Sequence, residues 1–145
     1  MSKNDEQYSI SKIYALMSED IIREKRPDIL ACGISVGFIS CEKAKMQNKV
    51  KKVLGECKKM TPLEKLFCPF DFLIIIYEPN CEGLNGDQMR TLLWHELNHV
   101  GIDEDGEPFI VPHDVEEFND IIYEKGLYWT DEDVPRGTYG GKING

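Results

Sequence analysis

Leu92-Leu93-Trp94-His95-Glu96-Leu97-Asn98-His99-Val100 places two imidazoles four residues apart with a carboxylate directly after the first. On a helix, positions i and i+4 project from one face, so His95 and His99 can bind a single metal ion while Glu96, one step round, reaches a water on that ion. The surroundings predict the helix. Asn85 is an N-cap with Gln88 three residues on, as in a capping box, and Leu84 and Met89 occupy the positions of a hydrophobic staple. Leu92, Leu93, Leu97 and Val100 supply an apolar face, and Gly101 is expected to end the helix.

Upstream, Phe70 to Tyr77 reads as a strand, β-branched and aromatic, closed by Glu78-Pro79-Asn80. Immediately before the metal helix, it has a core role and a binding role, since an extended peptide can add to a sheet edge. Apolar residues at Ile10, Ile13, Tyr14, Met17, Ile21 and Ile22 follow the helical period and predict a first helix over 9–25, with Ser9 as N-cap and Pro27 beyond its end. Ile29 to Ser40 reads as a second strand and Lys49 to Lys58 as a third. Downstream, the acidic loop Asp103 to Pro108 leads through Phe109-Ile110-Val111-Pro112 to a last helix over 113–125, stopped by Gly126.

The expected fold class is therefore α+β. A small mixed or antiparallel sheet packs against an N-terminal helix and the His-Glu helix, and a C-terminal helix follows. Residues 1–133 form one domain, and 134–145, with four glycines and little to bury, a loosely held tail. At 145 residues the chain buries about two thirds of its unfolded surface and needs no disulfides. The five cysteines (Cys32, Cys41, Cys57, Cys68, Cys81) are odd in number and widely spaced, and Met1 to Gln7 is polar. These features read as a reduced, cytoplasmic chain. The longest apolar run, Phe70 to Tyr77, is strand-sized and broken by Asp71, so no membrane span is expected.

A formal charge of −9 argues against general nucleic-acid binding. The distribution is uneven: residues 43–59 hold seven lysines against Glu56 alone, and 103–133 hold twelve acidic residues against Lys125 alone. The lysine run, Lys43 to Lys59, reads as a solvated strand edge and loop in preference to a patch for nucleic acid or an acidic partner.

Two histidines do not complete a tetrahedral metal site, and the chain has one other, His113, fourteen residues after His99. Three histidines leave the fourth position open, as in a catalytic zinc site. The rivals are Asp105, ten residues after His95 but with Ile102 where the metzincin pattern needs glycine; Cys81, upstream of the helix as in peptide deformylases; and Glu116 or Glu117. Such a site hydrolyses a carbonyl substrate by a zinc-activated water with Glu96 as general base. Trp94 and Asn98 read as packing and supporting residues, Asp114 as a partner for a ligand imidazole or a first-turn acid, and Tyr123, Tyr128 and Tyr139 as undifferentiated candidates for stabilising an oxyanion.

Over Phe70 to Trp129 the chain resembles the phage metallopeptidases, close to the SprT-like (Spartan-type) zincins. The resemblance rests on the strand ending Ile-Tyr-Glu-Pro, on Leu-Leu-Trp-His-Glu-Leu-Asn-His-Val, on His113-Asp114-Val115-Glu116-Glu117-Phe118, and on Gly126-Leu127-Tyr128-Trp129. It implies a minimal zincin-like metalloprotease domain, one zinc ion on His95, His99 and His113, Glu96 as general base, a peptide or protein substrate, and a host cytoplasm as location. Two departures from the SprT-like pattern stand out: Asp114 rather than glycine follows the third histidine, with Phe118 at the fifth position, and every cysteine precedes the metal helix, leaving none for a zinc ribbon. Cleavage of proteins crosslinked to DNA therefore does not carry over. The alternatives are a metal-stabilised module that binds a host protein through the acidic 103–133 face without cutting it, and an enzyme for a non-peptide amide.

Overall fold

The computed structural model describes residues 7–47 and 51–112. The 113–125 helix, the 134–145 tail, His113, Asp114, Glu116, Glu117 and the three candidate tyrosines lie outside these residues. In chain order the elements are β1 (Tyr8–Ile10), α1 (Lys12–Lys25), α2 (Pro27–Ala31), β2 (Val36–Cys41), β3 (Met46–Gln47), β4 (Lys51–Lys52), β5 (Gly55–Lys59), β6 (Phe72–Tyr77), α3 (Gly86–Leu97), β7 (Val100–Ile102) and β8 (Pro108–Ile110). A short 3-10 turn, Glu78–Cys81, links β6 to the approach to α3. The fold is mixed α+β, as expected.

A four-stranded sheet in the order β1-β2-β6-β5 forms its centre, with β2 and β6 parallel and the outer pairs antiparallel. Side chains alternate across a strand, so Phe72, Ile74 and Ile76 share one face, and all are fully buried. That face meets Tyr14 and Ile21 of α1 and Leu92, Leu93 and Leu97 of α3 in a single core. Phe72–Tyr77 fulfils its core role. The binding role expected of it is overturned: β6 lies between β2 and β5, so both of its edges are used.

Several predicted boundaries moved. Ser9 does not cap the first helix; it pairs with Ser40 in β1, and Ser11 caps instead, its hydroxyl accepting from the Tyr14 N–H at 3.1 Å. Pro27 does not merely follow a helix but opens α2 at its first turn, where a missing N–H costs nothing. Ile29 to Ala31 are consequently helical, and the strand expected from Ile29 begins only at Val36. The strand expected over 49–58 is divided into β4, which pairs with β3, and β5, which joins the main sheet. The lysine run thus supplies a small hairpin and a sheet edge.

At the metal helix the capping box is present in both directions: Gln88 N–H donates to Asn85 Oδ1 at 2.8 Å and Asn85 N–H to Gln88 Oε1 at 2.9 Å. Its end is not where Gly101 pointed. The helix stops at Leu97, and Gly101 lies in β7, which pairs with β8. Glycine is needed there for close approach, since a Cβ would lie 2.6 Å from Phe109 Cε2 and 2.8 Å from Val111 Cγ2.

A guanidinium from far upstream holds this end. Arg26 donates to the carbonyl of Leu97 at 2.7 Å and to that of Val100 at 2.6 Å, and its own orientation is fixed by Asp28 through two 3.0 Å contacts. Carbonyls in the last turn of a helix lack intrahelical donors, and a cation there also complements the helix dipole. Arg26→Ala is expected to lower stability by about 2–3 kcal/mol in urea titrations, since hydrogen bonds from a charged donor to buried carbonyls are lost. Hydrogen bonding to Arg26 holds Asp28 below its ordinary value of 3.8, so the pair stabilises above that pH and the contribution fades as pH falls through the depressed value; the variant should lose this part of its acid sensitivity.

Candidate metal centre

α3 brings His95, Glu96 and His99 to one end of the sheet, with their ligand atoms all within 4.8 Å of one another. The imidazoles meet edge to face, ring centroids 5.3 Å apart. His95 Nε2 lies 3.8 Å from Glu96 Oε2, and the Glu96 side chain is only 4% exposed. Helical spacing makes this cluster possible, and packing of Leu92, Leu93 and Leu97 on the sheet turns it toward β5.

His99 is fixed by the chain that follows it. The Val111 N–H donates to the His99 carbonyl at 2.8 Å, and the Val111 carbonyl lies 2.6 Å from His99 Nδ1. A carbonyl can only accept, so the proton sits on Nδ1 and the lone pair on Nε2. A second hydrogen bond of this kind is how proteins orient a ligating histidine and set its tautomer. Together with a nearly buried carboxylate, this donor set suits a borderline-soft divalent ion such as zinc.

The three residues line a cleft of about 310 Å³ whose other walls are Gly55, Glu56 and Cys57 of β5 and Ile110, Val111 and Pro112. The sequence assigned none of these wall residues to the site. Gly55 fits closely in the sheet, where a Cβ would lie 3.0 Å from the Ile75 carbonyl and 3.1 Å from Ile76 Cδ1, and it stands next to the carboxylate, with Glu96 Oε2 at 3.5 Å from that Cβ position. Glu56 is turned to the opposite face of the sheet, where it accepts from the Tyr77 hydroxyl and pairs with Lys45 at 2.9 Å. Burial, and then the Glu96 carboxylate, push the Cys57 thiol well above its ordinary range.

The rival ligands separate clearly. Asp105 sits exposed in the turn between β7 and β8, its N–H donating to Asp103 Oδ1 at 2.9 Å, outside the cluster. Cys81 is also outside it; the thiol contacts the Leu54 carbonyl at 3.4 Å, and burial, with Glu78 and Glu96 nearby, pushes it up to about 12. His113, Glu116 and Glu117 lie outside the described residues. Trp94 is buried with Lys25 Nζ 4.6 Å from its ring centroid, and Asn98 is the C-cap of α3, so both serve packing and helix termination.

Fold and site together define a small α+β domain with a metal-type His-Glu-x-x-His helix beside a sheet edge. The family described as putative phage metallopeptidase matches residues 6–138, and the chain belongs to that family. The match spans His113 as well as the described cluster. No curated protein and no solved structure matches the chain. Among the described residues no helix is long and apolar enough to cross a membrane.

The cysteines offer a check on the cleft. Cys32 is exposed, whereas Cys57 and Cys81 are shielded and held as thiols. Alkylation at pH 8 followed by mass spectrometry should modify Cys32 first, with Cys57 and Cys81 reacting roughly tenfold or more slowly until urea unfolds the chain.

Proposed function

We propose that the protein is a zinc-dependent peptidase in which His95, His99 and His113 hold one zinc ion and Glu96 is the general base. The observation that carries this reading is the convergence of a helix-borne imidazole, a second imidazole in the turn just past the helix and a buried carboxylate in a cleft beside the outermost described strand of the sheet, in a chain of a metallopeptidase family. Support for His113 as third ligand is its position in the chain: it directly follows Pro112, a wall residue of the cleft.

Zinc, when bound, supplies Lewis acidity toward a peptide carbonyl and toward water. Glu96 accepts the proton of the attacking water and delivers it to the leaving nitrogen, so that it ends the cycle unchanged. Its near-complete burial holds the carboxylate in the wall of the cleft. The Val111 carbonyl keeps the His99 ring from turning. β5 has β6 on one side and no strand bonded to its other edge among the described residues, so an extended peptide can add there and carry a carbonyl past Glu96.

Glu96→Gln tests the assignment. Hydrolysis of a quenched fluorescent peptide mixture should fall by about 10²- to 10⁴-fold while bound zinc stays at the wild-type level. Unchanged turnover in that variant would remove Glu96 from the chemistry.

A further inference from the structure

Resting on the peptidase reading, the charge along β5 points to the kind of substrate. Its cross-strand partners fix which way its side chains face: Gly55 lies opposite Ile76, Cys57 opposite Ile74 and Lys59 opposite Phe72. Directly paired residues share a sheet face, and Ile76, Ile74 and Phe72 all lie on the helix-covered face. Gly55, Cys57 and Lys59 therefore line the side on which Glu96 and the histidines sit. Glu56 and Lys58 face the other way, as their contacts with Tyr77 and Glu64 require.

The lysines around this edge are not equivalent. Lys45 is paired with Glu56 at 2.9 Å, Lys58 with Glu64 at 2.8 Å and Lys65 with Asp71 at 2.6 Å. Lys59 has no carboxylate partner among the described residues, although it is half-buried. Among the described residues it is a cation left uncompensated, on the metal side of a sheet edge to which no described strand is hydrogen-bonded, in a protein whose net charge is −9. At about 3.3 Å per residue it stands roughly 7–13 Å along the strand from the cleft walls at Cys57 and Gly55. A peptide strand added to β5 would bring a side chain directly opposite it, at a distance where opposite charges attract and like charges repel.

We propose that Lys59 is a specificity-determining residue that selects extended peptides carrying Asp or Glu about two to four residues from the bond that is cut. The acidic side chain supplies the partner that the described residues do not, while Lys58, turned to the far face and paired with Glu64, takes no part.

The test uses quenched fluorescent peptides of one length that carry Glu, Gln or Lys at each of these positions, assayed with wild type, Lys59→Gln, Lys59→Glu and Lys58→Gln. Wild type should prefer the Glu peptides over the Lys peptides in kcat/KM by about five- to twentyfold, twice the span of a single cross-strand charge pair because attraction and repulsion both count. Lys59→Gln should erase the preference, Lys59→Glu should invert it, and Lys58→Gln should leave it intact; the wild-type preference should shrink in 1 M salt. Equal rates across the three charges, or a preference that survives Lys59→Glu, would overturn the assignment of Lys59 while leaving the peptidase reading in place. Fluorescence anisotropy of the same peptides on Glu96→Gln separates the two claims: charge-selective binding with no cleavage by wild type contradicts the peptidase reading and sustains the docking edge, and neither binding nor cleavage contradicts both.

Discussion

The paired hydrogen bonds between His99 and Val111 are the constraint on which the rest of the site depends. One is a backbone contact that begins the return of the chain after β7, and the other fixes the imidazole ring. They tie the last turn of the metal helix to the segment that walls the cleft and runs directly into His113. Catalytic geometry needs ligands held to fractions of an ångström. Here the restraint comes from a hairpin of three-residue strands, β7 and β8, which could not stand alone.

That hairpin is itself anchored from a distance. Arg26, at the junction of α1 and α2, reaches across to the carbonyls of Leu97 and Val100 and so fixes both where α3 stops and where β7 starts. The capping box at Asn85 fixes the other end. Between these two ends the helix lays Leu92, Leu93 and Leu97 on the buried face of the sheet, which sets the direction in which His95 and Glu96 project. The order of the sheet completes the arrangement, because β5, which precedes β6 in the chain, is placed outside it and has no strand bonded to its other edge among the described residues.

What was legible in the sequence was local. The start of α3 was readable because an N-cap and its reciprocal partner are three residues apart, and the metal pair because helical spacing alone aligns His95 with His99. The end of α3 was not, since its determinant is an arginine 71 residues upstream of Leu97. Gly101 carried a stop signal in the sequence but serves a close contact with Phe109 and Val111. Ser9 has the chemistry of a cap, but its pairing with Ser40 draws it into β1 and leaves the cap to Ser11. The stretch from Ile29 to Ser40 has the composition of a strand, and Pro27, which ends one helix, also opens the next, so the first part of that stretch is helical. Gly55 and Cys57 were invisible as cleft residues, because a strand becomes a neighbour of a helix through sheet order, which no spacing in the chain records.

The central claim, a zinc site completed by His113, is tested most directly by native mass spectrometry of the purified full chain beside its His113→Ala variant. The account predicts about one zinc per wild-type chain and its loss, or a sharp weakening of retention, in the variant. Equal zinc in both proteins, or none in either after zinc is supplied, would contradict it.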